Sequence, residues 1–166
     1  MVFTVETNIK SDFSGFKELA KQLAEAQKQV AIVGVINADA DATENAVLNE
    51  FGGVGIYKDG PYAGQSVQVP QRSFIQAPIE LGKEEIVAAA ENEIKELDLD
   101  SAIKKMAEKA VELQEYALES NGEGIPGWQK HSGPRTIETK GGMDQPLYTR
   151  HGTTFPIDYE IQRRGA

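Results

Sequence analysis

His131 and His151 are the only histidines in the 166 residues and the first candidates for proton transfer. A histidine base needs a nucleophile within hydrogen-bond reach and a third group that orients its ring. Ser132 follows His131 directly, but adjacency alone does not supply that geometry. A metal shared by the two histidines would need further ligands, and neither Cys nor a carboxylate at ligand spacing accompanies them. Asp39, Asp41, Thr43 and Glu50 fall on four ligand positions of a calcium-loop register. The register requires Gly where Glu44 stands, and it overlaps a helix pattern. Gly52-Gly53-Val54-Gly55 lacks the Lys-Ser or Lys-Thr of a phosphate loop. These patterns give no catalytic residue, no cofactor and no metal site.

The elements that would position these groups are legible from periodicity. Residues 1–12 alternate weakly and suit an edge strand or an arm. Phe16, Leu19, Ala20 and Leu23 make one apolar stripe on a helix from Ser14 to Lys28. Residues 30–36 are apolar on both faces, which predicts a central strand. Asp41 with Glu44 reads as a capping box for a helix from Thr43 to Phe51, stopped by Gly52-Gly53. Asp59-Gly60 between aromatic flanks predicts a hairpin, and residues 66–69 a short strand. Two helices follow, about 79–97 and 100–119, with a turn and cap at Asp98-Leu99-Asp100-Ser101. Gly, Pro, Ser and Thr then dominate until Pro146. Residues 157–162 alternate and predict a last strand.

The expected architecture is α+β. A small mixed or antiparallel sheet packs on the N-terminal helix and the long helix pair. Residues 1–121 form the core, and residues 122–166 an extended segment ordered by a partner and ending in a strand. Net charge is -9, which opposes tight binding to phosphate backbones. There is no Cys, so disulfides are excluded. No apolar run approaches the ~20 residues that span a bilayer, and no secretory leader is visible. The expectation is a soluble protein made in the cytoplasm.

Two segments stand out. Asn49-Glu50-Phe51-Gly52 closes one helix, and Val69-Pro70-Gln71-Arg72-Ser73-Phe74-Ile75 opens the next. Their order resembles that of neck or tail-completion proteins of tailed bacteriophages, the virion morphogenesis or minor tail type. Pro70, Arg72 and Phe74 match a Pro-x-Arg-x-Phe motif. Pro134, Thr136-Ile137, Lys140-Gly141, Pro146-Leu147 and Tyr159 follow in the family's order over nearly the whole chain. Thr149-Arg150-His151-Gly152 departs from the family's Thr-Gly in that loop, and the Asp59-Gly60 hairpin looks like an insertion.

The resemblance implies a structural virion protein rather than an enzyme. It would sit in the head-to-tail connector as a homo-oligomeric ring, six copies favoured and twelve possible. Its partners would be other neck, portal-side and tail-tube proteins. DNA would pass through the lumen without specific binding, and no membrane would be involved. The alternatives are a tail terminator or other tail-ring component and, more distantly, a small acidic hydrolytic enzyme. Candidate interface residues are Arg72, Trp128, His131, Arg150, His151 and Tyr159. Arg72 is either an intersubunit clamp or an internal bridge to Glu80 or Glu84. Trp128 is favoured as a partner contact, and Phe51 and Phe74 as core. The faces between Lys83 and Glu119 carry eleven acidic and five basic residues. They read as solvated, or as an unadhesive channel wall in a ring.

Overall fold

The computed structural model describes residues 14–58, 60–149, 152, 153 and 155–163. The arm expected at residues 1–12 lies outside the described residues. The architecture is α+β, with helices α1 (Ser14–Ala26), α2 (Ala40–Phe51), α3 (Gln76–Leu81), α4 (Lys83–Ala89), α5 (Glu91–Lys95), α6 (Leu99–Glu119) and α7 (Pro134–Thr139). Strands β1 (Gln29–Val35), β2 (Gly53–Ile56), β3 (Ser66–Val69), β4 (Tyr148–Thr149), β5 (Gly152–Thr153) and β6 (Ile157–Arg163) complete it.

Among the described residues the strands form three antiparallel pairs, β1–β6, β2–β3 and β4–β5. Strand β1 is therefore paired on one side only, not central as its apolar sequence suggests. Val35 faces Ile157, and Val33 faces Tyr159. Helix α6 packs against both strands and covers one face of the pair, while Ile32 stays exposed in the groove beside α2.

The expected helix over 79–97 is three short ones, broken at Gly82 and Ala90. Gly82 lies close to α6. A Cβ there would sit 2.3 Å from Leu113 Cδ1 and 2.9 Å from the Pro78 carbonyl. Ala90 is fully buried beside it. Both breaks use small residues, as a close helix approach demands. Helix α6 answers with a small-residue face of Ala102, Ala107, Ala110 and Ala117. It starts at Asp98, whose side chain accepts from the Ser101 N–H, as the turn sequence predicts.

The central cluster joins Ala46, Phe74, Leu118, Trp128, Leu147 and Phe155. Three of the six come from beyond residue 121, so the C-terminal segment is built into the core rather than waiting for a partner. Phe74 and Phe155 stack with centroids 5.1 Å apart, a geometry that contributes about 1 kcal/mol beyond burial. Phe74 is core, as expected. Phe51 is not, being 67% exposed. Ala46 and Glu50 share the inward face of α2. Phe51 lies one residue on, about 100° around the helix, beside Val47 on the outward face.

Candidate functional site

The two motif segments meet. Asn49 O accepts from the Arg72 N–H at 2.6 Å, and Asn49 Oδ1 accepts from Arg72 Nη1 at 3.2 Å. Glu50 is buried at the start of α3, and its side chain accepts from Ser73 Oγ (2.6 Å), Ile75 N (2.9 Å) and Gln76 N (3.1 Å). Ser73 Oγ in turn accepts from Ala77 N at 3.0 Å. The next residue, Pro78, has no N–H. The orphan donors that open every helix are thus satisfied at α3 by a carboxyl from α2 and a hydroxyl two residues before Ile75.

Arg72 is 5% exposed. Nε donates to Gln129 O at 2.9 Å and Nη2 to His131 O at 3.2 Å. The expected bridge to Glu80 or Glu84 is corrected, since the side chain bonds Asn49, Gln129 and His131 instead, and its burial leaves it little surface to offer a neighbour. It ties α2 to the segment after α6 through backbone carbonyls. Burial lowers its pKa, though an arginine stays charged regardless.

Trp128 is also corrected, from surface anchor to core, at 8% exposure. Its Nε1 donates to Asn121 Oδ1 at 3.1 Å, and Asn121 Nδ2 donates to Lys130 O at 2.8 Å. Asn121 and Gly122 both have positive φ, which reverses the chain after α6 and lays the indole over Gly122. Tyr159 is half-buried in β6. Arg150 and His151 lie outside the described residues. The structure therefore bonds Arg72 to the His131 carbonyl, holds Trp128 through Asn121 to the neighbouring Lys130 carbonyl, and keeps Tyr159 apart in the β1–β6 pair.

The His131 ring is exposed, and its Nδ1 lies 2.7 Å from Asp144 Oδ2. Asp144 Oδ1 accepts from Ser132 N at 2.8 Å. A base with an orienting carboxylate is half of a hydrolytic constellation. Ser132 Oγ does not supply the nucleophile's contact with this ring, since it has no hydrogen-bond partner among the described residues. The His131 ring and the Ser132 N–H hold the Asp144 carboxyl below its ordinary pKa. Its contribution to stability is present above the ordinary carboxyl value and is lost as pH falls through the lower, folded one. Asp144→Asn is expected to match wild-type pH dependence above about pH 5. Below that, its melting temperature should fall less steeply than wild type, as scanning calorimetry across pH 2.5 to 7 would show. Parallel curves would mean that Asp144 is not coupled to folding.

The calcium register is spent on structure. Asp39, not Asp41, caps α2, its side chain accepting from Ala42 N at 2.7 Å. Asp41 and Glu44 hold Lys58 Nζ at 2.6 and 2.7 Å and raise its pKa.

No protein-family model, curated protein or solved structure matches the chain. The site must be read from its own geometry.

A cavity of about 530 Å³ opens between α2, the β2–β3 hairpin and residues 132–147. Arg72, Arg135 and Lys140 line it, with apolar walls from Val69, Leu147 and Phe155. Lys140 Nζ donates to Gln145 O and Pro146 O. Burial lowers its pKa, and Arg72 adds to the effect. A second, apolar groove of about 390 Å³ runs between β1 and α2 and is lined by Ile32, Val47 and Phe51. These three side chains are all well exposed. Sequence periodicity missed the groove because it assigned the end of α2 to the core.

Proposed function

We propose that the chain is a structural part of the head-to-tail connector of a tailed bacteriophage, a neck or tail-completion ring of six or twelve copies. Its neighbours would be portal-side and tail-tube proteins, its place the virion, and DNA would pass its lumen unbound. The observation that carries this reading is the apolar surface around α2. Val47 and Phe51 lie one turn apart, each more than half exposed, and line a groove with Ile32. Val54 and Ile56, on the β2 face turned away from Leu48 of α2, form a separate exposed apolar pair. Contiguous apolar surface rimmed by polar residues marks a protein contact. The motif order of the sequence points to the same class, and its Asn49–Gly52 and Pro70–Phe74 segments serve as the internal brace of such a part. Among the described residues no helix is long and apolar enough to cross a membrane.

Phe51→Ser should leave the melting temperature within about 2 °C of wild type, since the ring contributes little to the monomer core. It should also stop incorporation into particles. Electron microscopy of lysates carrying the variant is expected to show filled heads apart from finished tails. Normal particles would sink the assembly role of this face. A tail-terminator role is separated by pull-down, since a terminator would bind tube protein directly. A hydrolytic role would rest on His131 with Asp144, and it would end if the wild-type protein showed no activity on a broad substrate panel while His131→Ala and His151→Ala both left assembly intact.

A further inference from the structure

We propose that the cavity lined by Arg72, Arg135 and Lys140 binds an oxyanion, a carboxylate or phosphate group carried on an apolar body. Acidic residues outnumber basic ones in this chain by 26 to 17, yet no Asp or Glu stands among the described residues that line the cavity. Concentrating cations where the rest of the surface is acidic makes a local well for an anion.

The guanidinium is the principal recognition group. Arginine has five N–H donors. Arg72 spends three side-chain bonds on Gln129 O, Asn49 Oδ1 and His131 O, which leaves two donors. No described carboxylate forms an ion pair with it. A planar fork with donors in reserve suits an oxyanion.

Ser132 gives an independent sign. It is 8% exposed, it lines the same cavity, and its Oγ is buried without a hydrogen-bond partner among the described residues. Buried hydroxyls without partners are uncommon, and a small turn of this side chain toward the cavity would give it a ligand acceptor. The walls then set the remainder of the ligand. Val69, Pro134, Leu147 and Phe155 offer apolar contact, and 530 Å³ falls within the size range of small-molecule pockets. The anion is either a free small molecule or the acidic end of another polypeptide. The proposal does not depend on the assembly role and survives its failure.

The test is an amide-shift titration of the full chain by NMR with phenyl phosphate, and separately with N-acetyl-Phe-Leu bearing a free carboxylate. Saturable shifts at Val67, Val69, Ser132 and Thr136 are expected, with a Kd of about 1 mM or tighter for the better probe. Arg135→Glu reverses one exposed cation of the lining and leaves the Arg72 network alone. It should weaken binding about tenfold or more, with a melting temperature within about 4 °C of wild type, since Arg135 also donates to Gln65 Oε1 and lies over the Tyr62 ring. Tighter binding of the peptide would assign the cavity to a chain end, and tighter binding of phenyl phosphate to a free phosphorylated molecule. No shifts at these amides up to about 20 mM, or shifts unaltered by Arg135→Glu, would overturn the proposal.

Discussion

Glu50→Ala is expected to cost about 4 kcal/mol, a large share of the 5–15 kcal/mol typical of a folded domain. The side chain is 3% exposed and serves the Ser73 hydroxyl and the Ile75 and Gln76 N–H groups together. Alanine leaves both part-buried N–H groups without their acceptor, at about 1–3 kcal/mol each. It also removes the tie between α2 and α3. In a chain of this size the melting temperature should fall by roughly 8–16 °C. Glu50→Gln keeps the volume but turns an amide donor toward donors, so its loss should approach that of Ala. Ser73→Ala should cost less, about 1–2 kcal/mol, because Glu50 still serves the first two amides. Urea unfolding with an unchanged slope would measure all three. A loss below about 1 kcal/mol for Glu50→Ala would mean that the two motif segments are held together by something else.

Gly122→Ala should be comparably damaging for a different reason. Gly122 has φ +72°, and a Cβ there would lie 2.0 Å from Trp128 Cδ2 and 2.1 Å from Cγ. The left-handed conformation costs alanine about 1 kcal/mol, and displacing a packed indole about 1–3 kcal/mol more. Gly124 provides the control. It has φ +77° but nothing within 4 Å of the added methyl. Gly124→Ala should therefore show the backbone penalty alone, and the difference between the two variants reports the indole contact. Trp128 is the single tryptophan, so its emission should shift to the red in Gly122→Ala and not in Gly124→Ala. Equal losses and equal spectra would show that the indole does not rest on Gly122.

Much of the fold was legible in the sequence because its elements carry strong local signals. The Ala107, Ala110 and Ala117 face of α6 is buried as periodicity requires, and in the last strand Ile157 and Tyr159 are half-buried while Ile161 is exposed. Phe74 sits after a proline at a helix entrance, a position with few outward options. The failures share one cause, that local patterns name a face but not its partner. The stripe on α1 is real, yet Phe16 is 75% exposed, since among the described residues that helix packs sparsely, chiefly on α6. Trp128 lies among Gly and Pro with no period to read, and its burial follows from the reversal at Asn121-Gly122. Arg72 donates to two backbone carbonyls, which any residue supplies, besides Asn49 Oδ1, so side-chain spacing could not announce its link to the C-terminal segment. The cavity was invisible for the same reason, because Arg72, Ser132, Arg135 and Lys140 converge only after the C-terminal segment folds back.

The pairing of β1 with β6 sets the order in which this protein can fold. Gln29 meets Arg163 at one end of the ladder, and Val35 meets Ile157 at the other. Each bond joins residues more than 120 positions apart, and the Phe74–Phe155 stack spans 81 (155 − 74). A growing chain emerging at about 5–20 residues per second holds α6 and the α3–α5 layer together by local contacts for several seconds. During that interval Phe74, Leu118 and one edge of β1 remain without their final cover. Closure is therefore a late, long-range step, of the kind that slows folding. Removing the last strand should leave a helical but unfinished chain that aggregates, whereas loss of α1 should be far milder.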